Sequence, residues 1–274
     1  MNIRTFVFLD LETTGLPREE RNHTKITELC LIAISRYDIL VSKNGRIPAC
    51  HKLSLLFNPE RNINPVAAHI TGLTNEYLKN CPTFVERVDT ITFFLEELEE
   101  PVCLVAHNGS AFDFKVLLAE FVKIERILPK RLLCLDSLLV FRKILKDNPV
   151  NYKTLNSSAD DSILTDDEDD DFPALSLSNE DWTEIDRLDT PQPNMSFRGV
   201  SSNTTRIISN SQRSNYTLTS LYKRLLNKDA TNAHRAEGDC VMLLECVMAL
   251  KEDFLFWADA SCKRMDTVKP FVPY

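Results

Sequence analysis

An α/β domain with a mixed β-sheet and flanking helices is what this sequence predicts, on three observations. The N-terminal part holds three strand-length runs of β-branched and aromatic residues. The middle alternates short apolar runs with segments of helical periodicity, and the C-terminal part is helical throughout. Such an order gives antiparallel pairing first and crossover connections later, hence a mixed sheet.

Taken in order, IRTFVFLDLE is a strand that ends near Glu12, where TTGLP signals a turn. ELCLIAISRYDIL and HKLSLLFNP read as two more strands, separated by a polar loop with Lys43, Asn44 and Gly45, and the three together suggest an antiparallel meander. FVERVDTITFFLEELEE places Phe84, Val88, Ile91, Phe94, Leu95 and Leu98 on one helical face. VCLVAHN is a buried strand running into a loop, FKVLLAEFVKI a short amphipathic helix, RLLCLDSL a fifth strand and SLLVFRKILK a helix. Helical patterning returns at TLTSLYKRLL and extends through GDCVMLLECVMALKEDFLFWADASCK, which is long enough for one helix or two in succession.

At 274 residues and 43% hydrophobic composition the chain can bury one substantial core. We expect a single domain over 1–145 and 215–274, interrupted over 146–214 by a disordered acidic insertion in which Ser, Asn, Asp and Pro dominate and TDDEDDD is a run of solvated like charge. Between Lys146 and Arg213 fourteen acids face six bases, which accounts for the whole net charge of −8 and leaves the rest of the chain neutral. A neutral body does not exclude a polyanionic partner, whereas the overall charge at first sight would. No run approaches the roughly 20 apolar residues of a membrane span, and acids stand where a signal peptide would be cleaved, so an intracellular location, cytoplasm or nucleus, is expected. The eight cysteines are scattered with no C-x-x-C pair and read as reduced, mostly core thiols.

Three segments carry chemistry. Asp10 and Glu12 lie two apart at a strand end, so both side chains point to one face and can share a hard cation such as Mg²⁺ or Mn²⁺. An ordinary solvated strand end shows the same pair. Asp113 begins an amphipathic helix, where a capping role would also explain it. His234 precedes Asp239 by five residues at the start of a long apolar helix, an arrangement that can direct an imidazole and a carboxylate into one site. His23, His51, His69 and His107 have no such company and read as surface, loop or packing residues.

In combination the segments FLDLETTGLP, HITGL, LVAHNGSAFDF, TLTSLYKRLL and HRAEGD resemble the three-prime repair exonuclease family, DnaQ-like DEDD nucleases with a catalytic histidine. The resemblance covers 1 to about 145 and 215–274. It implies a ribonuclease H-like fold with a mixed five-stranded sheet, and a 3′→5′ exonuclease that releases 5′-mononucleotides from DNA 3′ ends, single-stranded or frayed. Asp10, Glu12 and Asp239 would hold two Mg²⁺ ions, with Mn²⁺ as a substitute, and Asp113 would complete the four acids; His234 would be the general base. Glu12, Thr13, Leu16, Ile70, Phe112, His234 and Asp239 would meet the terminal nucleotide, Leu16 and Ile70 wedging its base. Phe112 stands where the family pattern has tyrosine, which leaves a stacking ring without a hydroxyl.

The resemblance further implies a homodimer through an edge strand, for which HKLSLLF is the candidate, and no membrane anchor. DFPALSL or DWTEIDRL in the acidic insertion could engage a protein partner, although a plain linker is the default. Two other functions share part of the pattern: a related exoribonuclease or polymerase-proofreading subunit, and a nucleic-acid-binding scaffold without turnover. The scaffold has no need of four acids and a histidine. HITGL together with FLDLETTGLP favours the autonomous DNA-degrading branch.

Overall fold

A computed structural model of the chain describes residues 2–42, 47–147, 216–230 and 234–274. All of them fall in one compact unit, Met1–Pro149 with Asn215–Tyr274. The sheet has the order β3-β2-β1-β4-β5-β6. Its strands are β1 (Thr5–Thr13), β2 (Ile26–Ser35), β3 (His51–Leu56), β4 (Val102–Ala106), β5 (Leu133–Asp136) and a two-residue β6 (Lys263–Arg264). Strands β1, β2 and β3 form the expected antiparallel meander. Strands β4 and β5 add in parallel to β1. The expected five strands are therefore all present, and β6 adds a short antiparallel edge beside β5.

Nine α-helices are described: α1 (Arg36–Val41), α2 (Pro65–Thr71), α3 (Asn75–Leu78), α4 (Phe84–Glu96), α5 (Asp113–Lys123), α6 (Ser137–Asp147), α7 (Leu218–Leu226), α8 (Ala236–Ala249) and α9 (Lys251–Ser261). They cover both faces of the sheet, which is why β1, β2 and β4 read as continuous apolar runs with buried residues on either side. One core packs Phe6, Phe8 and Ile32 against Phe141 of α6, Leu243 and Val247 of α8, and Phe254 of α9. The other packs Leu9, Leu29 and Leu104 against Phe84 and Ile91 of α4 and Phe114 and Phe121 of α5.

One element boundary departs from expectation, and one open alternative is decided. RYDIL is not a continuation of β2 but α1, because Ser35 Oγ accepts the Asp38 N–H at 3.0 Å as an N-cap and Arg36 forks onto Asp259 of α9 at 2.8 and 3.1 Å. The C-terminal helical region is two helices, divided at Leu250, whose φ of −123° leaves the helical range. The polar loop at Lys43, Asn44 and Gly45 lies outside the described residues, as does the acidic insertion apart from Lys146 and Asp147, which close α6. All eight cysteines are free, and Cys30, Cys103, Cys134, Cys240 and Cys246 are buried. No helix among the described residues is long and apolar enough to cross a membrane.

Candidate active site

Strand alternation sends Phe6 and Phe8 of β1 into the core beneath α8, and the same face carries Asp10 and Glu12 where the strand emerges. Helix α8 is seated directly on this strand: Cys240 Sγ donates to the carbonyls of Phe8 and Cys30 at 3.4 and 3.5 Å. That seating brings Asp239, one residue earlier, over the strand end. Carboxylate oxygens of Asp10, Glu12 and Asp239 all lie within 4.8 Å of one another. The predicted metal set thus meets in three of its four members, from a strand and a helix far apart in sequence.

Asp113 is not part of that triplet, but it is 4% exposed and its charge reaches Asp10 and Glu12. It stands at the first position of α5 without capping the helix; Phe112 occupies the N-cap position. Because β4 runs parallel to β1, the loop after β4 opens at the same sheet end as Asp10 and Glu12. Buried Asp136 at the end of β5 shapes that loop, accepting the N–H groups of Asn108 and Ser110 at 3.0 Å and of Leu138 at 3.1 Å.

Crowding of carboxylates has the expected electrostatic result. Burial pushes the Asp10 carboxyl well above the usual range, with Asp113, Asp239 and Glu12 adding to the effect. Burial, then Asp239, Glu28 and Asp113, push Glu12 up to about 8, while Arg235 pulls the other way. Asp113 is raised to about 7, again first by burial. The donors are all hard oxygens, the set that suits Mg²⁺ or Mn²⁺, and a divalent cation among them would offset the repulsion that raises these groups.

His234 sits immediately before α8 with φ 63°, a left-handed conformation, and its N–H donates to Asp239 Oδ2 at 3.1 Å. The backbone of His234 is thereby tied to a carboxylate of the cluster. Thr13 is 8% exposed, pairs with Ile26 of β2 and donates its hydroxyl to Gly15 O at 3.1 Å. Leu16 is 41% exposed at the tip of the following loop. That loop is tied to the start of α2 through Asn64 N–H to Thr14 O at 2.7 Å, and Ile70 lies on α2, half-buried. Further bracing comes from the C-terminal residues, where Asn22 Nδ2 donates to Val272 O at 2.9 Å and Tyr274 N–H to Arg21 O at 3.3 Å. Phe112 is partly buried against the α5 side of the core.

Sequence reasoning missed Glu28, Arg235 and Asp136, whereas His107 is the packing residue that was one of its expected readings. Glu28 is a lone acid in the apolar β2 run; its meaning depends on the β1–β2 register, which puts it opposite Glu12. Arg235 is the neighbour of His234, and its two nitrogens reach Glu28. Asp136 ends an apolar strand just as Asp10 nearly does, and that likeness was available in the sequence. His107 is a packed clasp, with Nδ1 against Ser137 Oγ at 3.0 Å and Nε2 against Tyr216 O at 2.9 Å; burial lowers it to about 4, so it stays neutral. His23, His51 and His69 are exposed.

Comparison with known proteins points the same way. The Exonuclease family profile matches residues 7–165. Three-prime repair exonuclease 1 of Bos taurus is 31% identical over 98% of this chain and 70% of its own length. Three prime repair exonuclease 2 of Homo sapiens is 30% identical over 97% of this chain and 92% of its own. Among solved structures, E. coli exonuclease I in complex with a dT13 oligonucleotide superposes with TM-score 0.56 at 14% identity, covering 94% of this chain and 43% of that one. The nuclease domain of 3′hExo, a DEDDh family member bound to rAMP, gives TM-score 0.54 at 13% identity, covering 92% and 93%. At such identities the structural likeness establishes the fold, which is ribonuclease H-like.

Proposed function

The chain belongs to the exonuclease family, related to the three-prime repair exonucleases, and from its site we propose that it removes nucleotides from DNA 3′ ends with Asp10, Glu12, Asp113, Asp239 and His234 as its machinery. One observation carries the reading. Asp10, Glu12 and Asp239 bring ligand oxygens within 4.8 Å of one another beside buried Asp113, and the backbone of His234 is bonded to that same Asp239.

Asp10, Glu12 and Asp239, with Asp113 beside them, would hold two Mg²⁺ ions, or Mn²⁺ in their place. Bound there, the cations would supply Lewis-acid activation of water and neutralisation of phosphate charge. His234 in its neutral form would take the proton of the attacking water, a role that typically contributes about 10² to 10⁴ in rate. The Thr13 backbone and the Phe112 ring would place the terminal nucleotide, with Leu16 and Ile70 against its base. Apolar contact of this kind tolerates any base, as a sequence-independent exonuclease requires.

DNA over RNA rests on the names of the relatives and on the FLDLETTGLP and HITGL segments. A homodimer through β3 is supported by its edge position in the sheet. Labelled DNA and RNA of equal sequence, incubated with and without Mg²⁺, test the assignment together. Mg²⁺-dependent shortening of DNA from its 3′ end, with 5′-mononucleotides as product, is expected. Faster loss of RNA would move the assignment to an exoribonuclease, and an intact strand of both kinds would favour a scaffold.

A further inference from the structure

The turn that presents His234 is not one a histidine adopts by default. Its φ of 63° belongs to the left-handed region, where non-glycine residues persist only when their surroundings over-determine them. One restraint is the bond from His234 N–H to Asp239 Oδ2. The other comes from β2. Arg235 is extended at φ −132° and ψ 125°, and its guanidinium reaches back to Glu28, Nε donating to Oε2 and Nη2 to Oε1, each at 2.9 Å. Ala236 N–H, at the start of α8, donates to the same carboxylate at 3.2 Å.

Glu28 is well suited to be an anchor. Its side chain is 3% exposed, while that of Arg235 is 41% exposed. It lies on a strand paired on both sides, by β1 and by β3, so its backbone cannot drift. It also lies directly opposite Glu12, where an unneutralised second carboxylate would repel the cluster. The two-point fork is specific to a planar guanidinium; an ammonium offers the charge without the fixed plane.

We propose that the Glu28–Arg235 fork is a positioning device for His234, locking the left-handed turn against the carboxylate cluster, and that it acts on proton transfer rather than on cation or nucleotide binding. The proposal rests on the reading of His234 as the general base. Misplacing a reacting group by roughly 1 Å can cost about 10² in rate. Arg235 is thus a residue that works through its neighbour.

Arg235→Lys isolates the effect, since it keeps a positive charge beside Glu28 and loses the fork. In Arg235→Lys, kcat is expected to fall about tenfold to 100-fold while KM for the DNA 3′ end and the half-saturating Mg²⁺ concentration stay within about twofold. Glu28→Gln, a second variant that also breaks the fork, should lower kcat to a similar extent, and its Mg²⁺ dependence is expected to shift as well because Glu28 faces Glu12. In a His234→Ala background, adding Arg235→Lys should change kcat by less than about twofold, because the residue it acts through is gone. Amide exchange at 234–236 should quicken in the Arg235→Lys protein. Wild-type turnover in folded Arg235→Lys, or an equal loss with and without His234, would overturn the proposal alone. Wild-type turnover in His234→Ala would overturn the base assignment and the proposal with it.

Discussion

A carboxyl raised to about 8, as that of Glu12 is, keeps its proton at neutral pH until a cation displaces it. Glu12 and Asp113 sit at about 8 and about 7 in the folded chain, against ordinary values of 4.5 and 3.8. The folded state therefore binds more protons than the unfolded state across that interval. Without metal, the contribution of these groups is fully favourable below their ordinary values and is lost as pH rises through 7 to 8. A divalent cation competes with the same protons, so the Tm gain on adding Mg²⁺ should be larger at about pH 8 than at about pH 5.5. Thermal unfolding with and without Mg²⁺ at the two pH values checks this, and an equal or reversed gain would contradict it. His234→Ala should lower kcat by about 10² to 10⁴ and leave that Mg²⁺-induced Tm gain intact, because the imidazole is assigned no part in holding the cations. Steady-state turnover and a melting curve on the same preparation separate the two effects.

Elements that read clearly in the sequence are those whose periodicity and burial agree. The run at β1 announced both a buried strand and, by its period of two, a shared face for Asp10 and Glu12. Asp239 was legible only in company, since its pairing with Asp10 depends on α8 lying across β1. Glu28 was not legible, because cross-strand register follows from the whole sheet and no local signal reports it. RYDIL was misread because its apolar residues extend those of β2, while the Ser35 cap and the Arg36 to Asp259 fork that end the strand are tertiary facts. The loop after β4 makes a demand of its own on sequence. A Cβ at Gly109 would stand 2.6 Å from Ala106 Cβ and 2.9 Å from two ring carbons of Phe114. Gly109→Ala must therefore displace the segment that carries Asp113. We expect a stability loss of about 1–3 kcal/mol, as for other overpacked sites, and a fall in kcat of about tenfold or more. Denaturant unfolding and single-turnover hydrolysis check the pair of effects; wild-type values in both would show that the loop accommodates the methyl without moving Asp113.

At the scale of the whole molecule, the net charge of −8 resides in the stretch from Lys146 to Arg213, and the remainder is neutral. If that stretch acts as a plain linker, it should matter little to catalysis. Deleting 150–210 is expected to leave DNA affinity unchanged across a salt titration; tighter binding at low salt would instead identify the acidic run as a competitor of nucleic acid. An edge position for β3 argues for self-association, and light scattering should return a dimer at micromolar concentration, a monomer removing that part of the reading. The catalytic expectations depend on carboxylates from β1, α5 and α8 gathering around divalent cations. Anomalous diffraction from crystals soaked in Mn²⁺ and a 5′-mononucleotide tests this most directly. The account predicts Mn²⁺ peaks in contact with Asp10, Glu12 and Asp239, absent in Asp10→Asn crystals. Mn²⁺ bound elsewhere, with that cluster empty and nuclease activity surviving excess chelator, would contradict it.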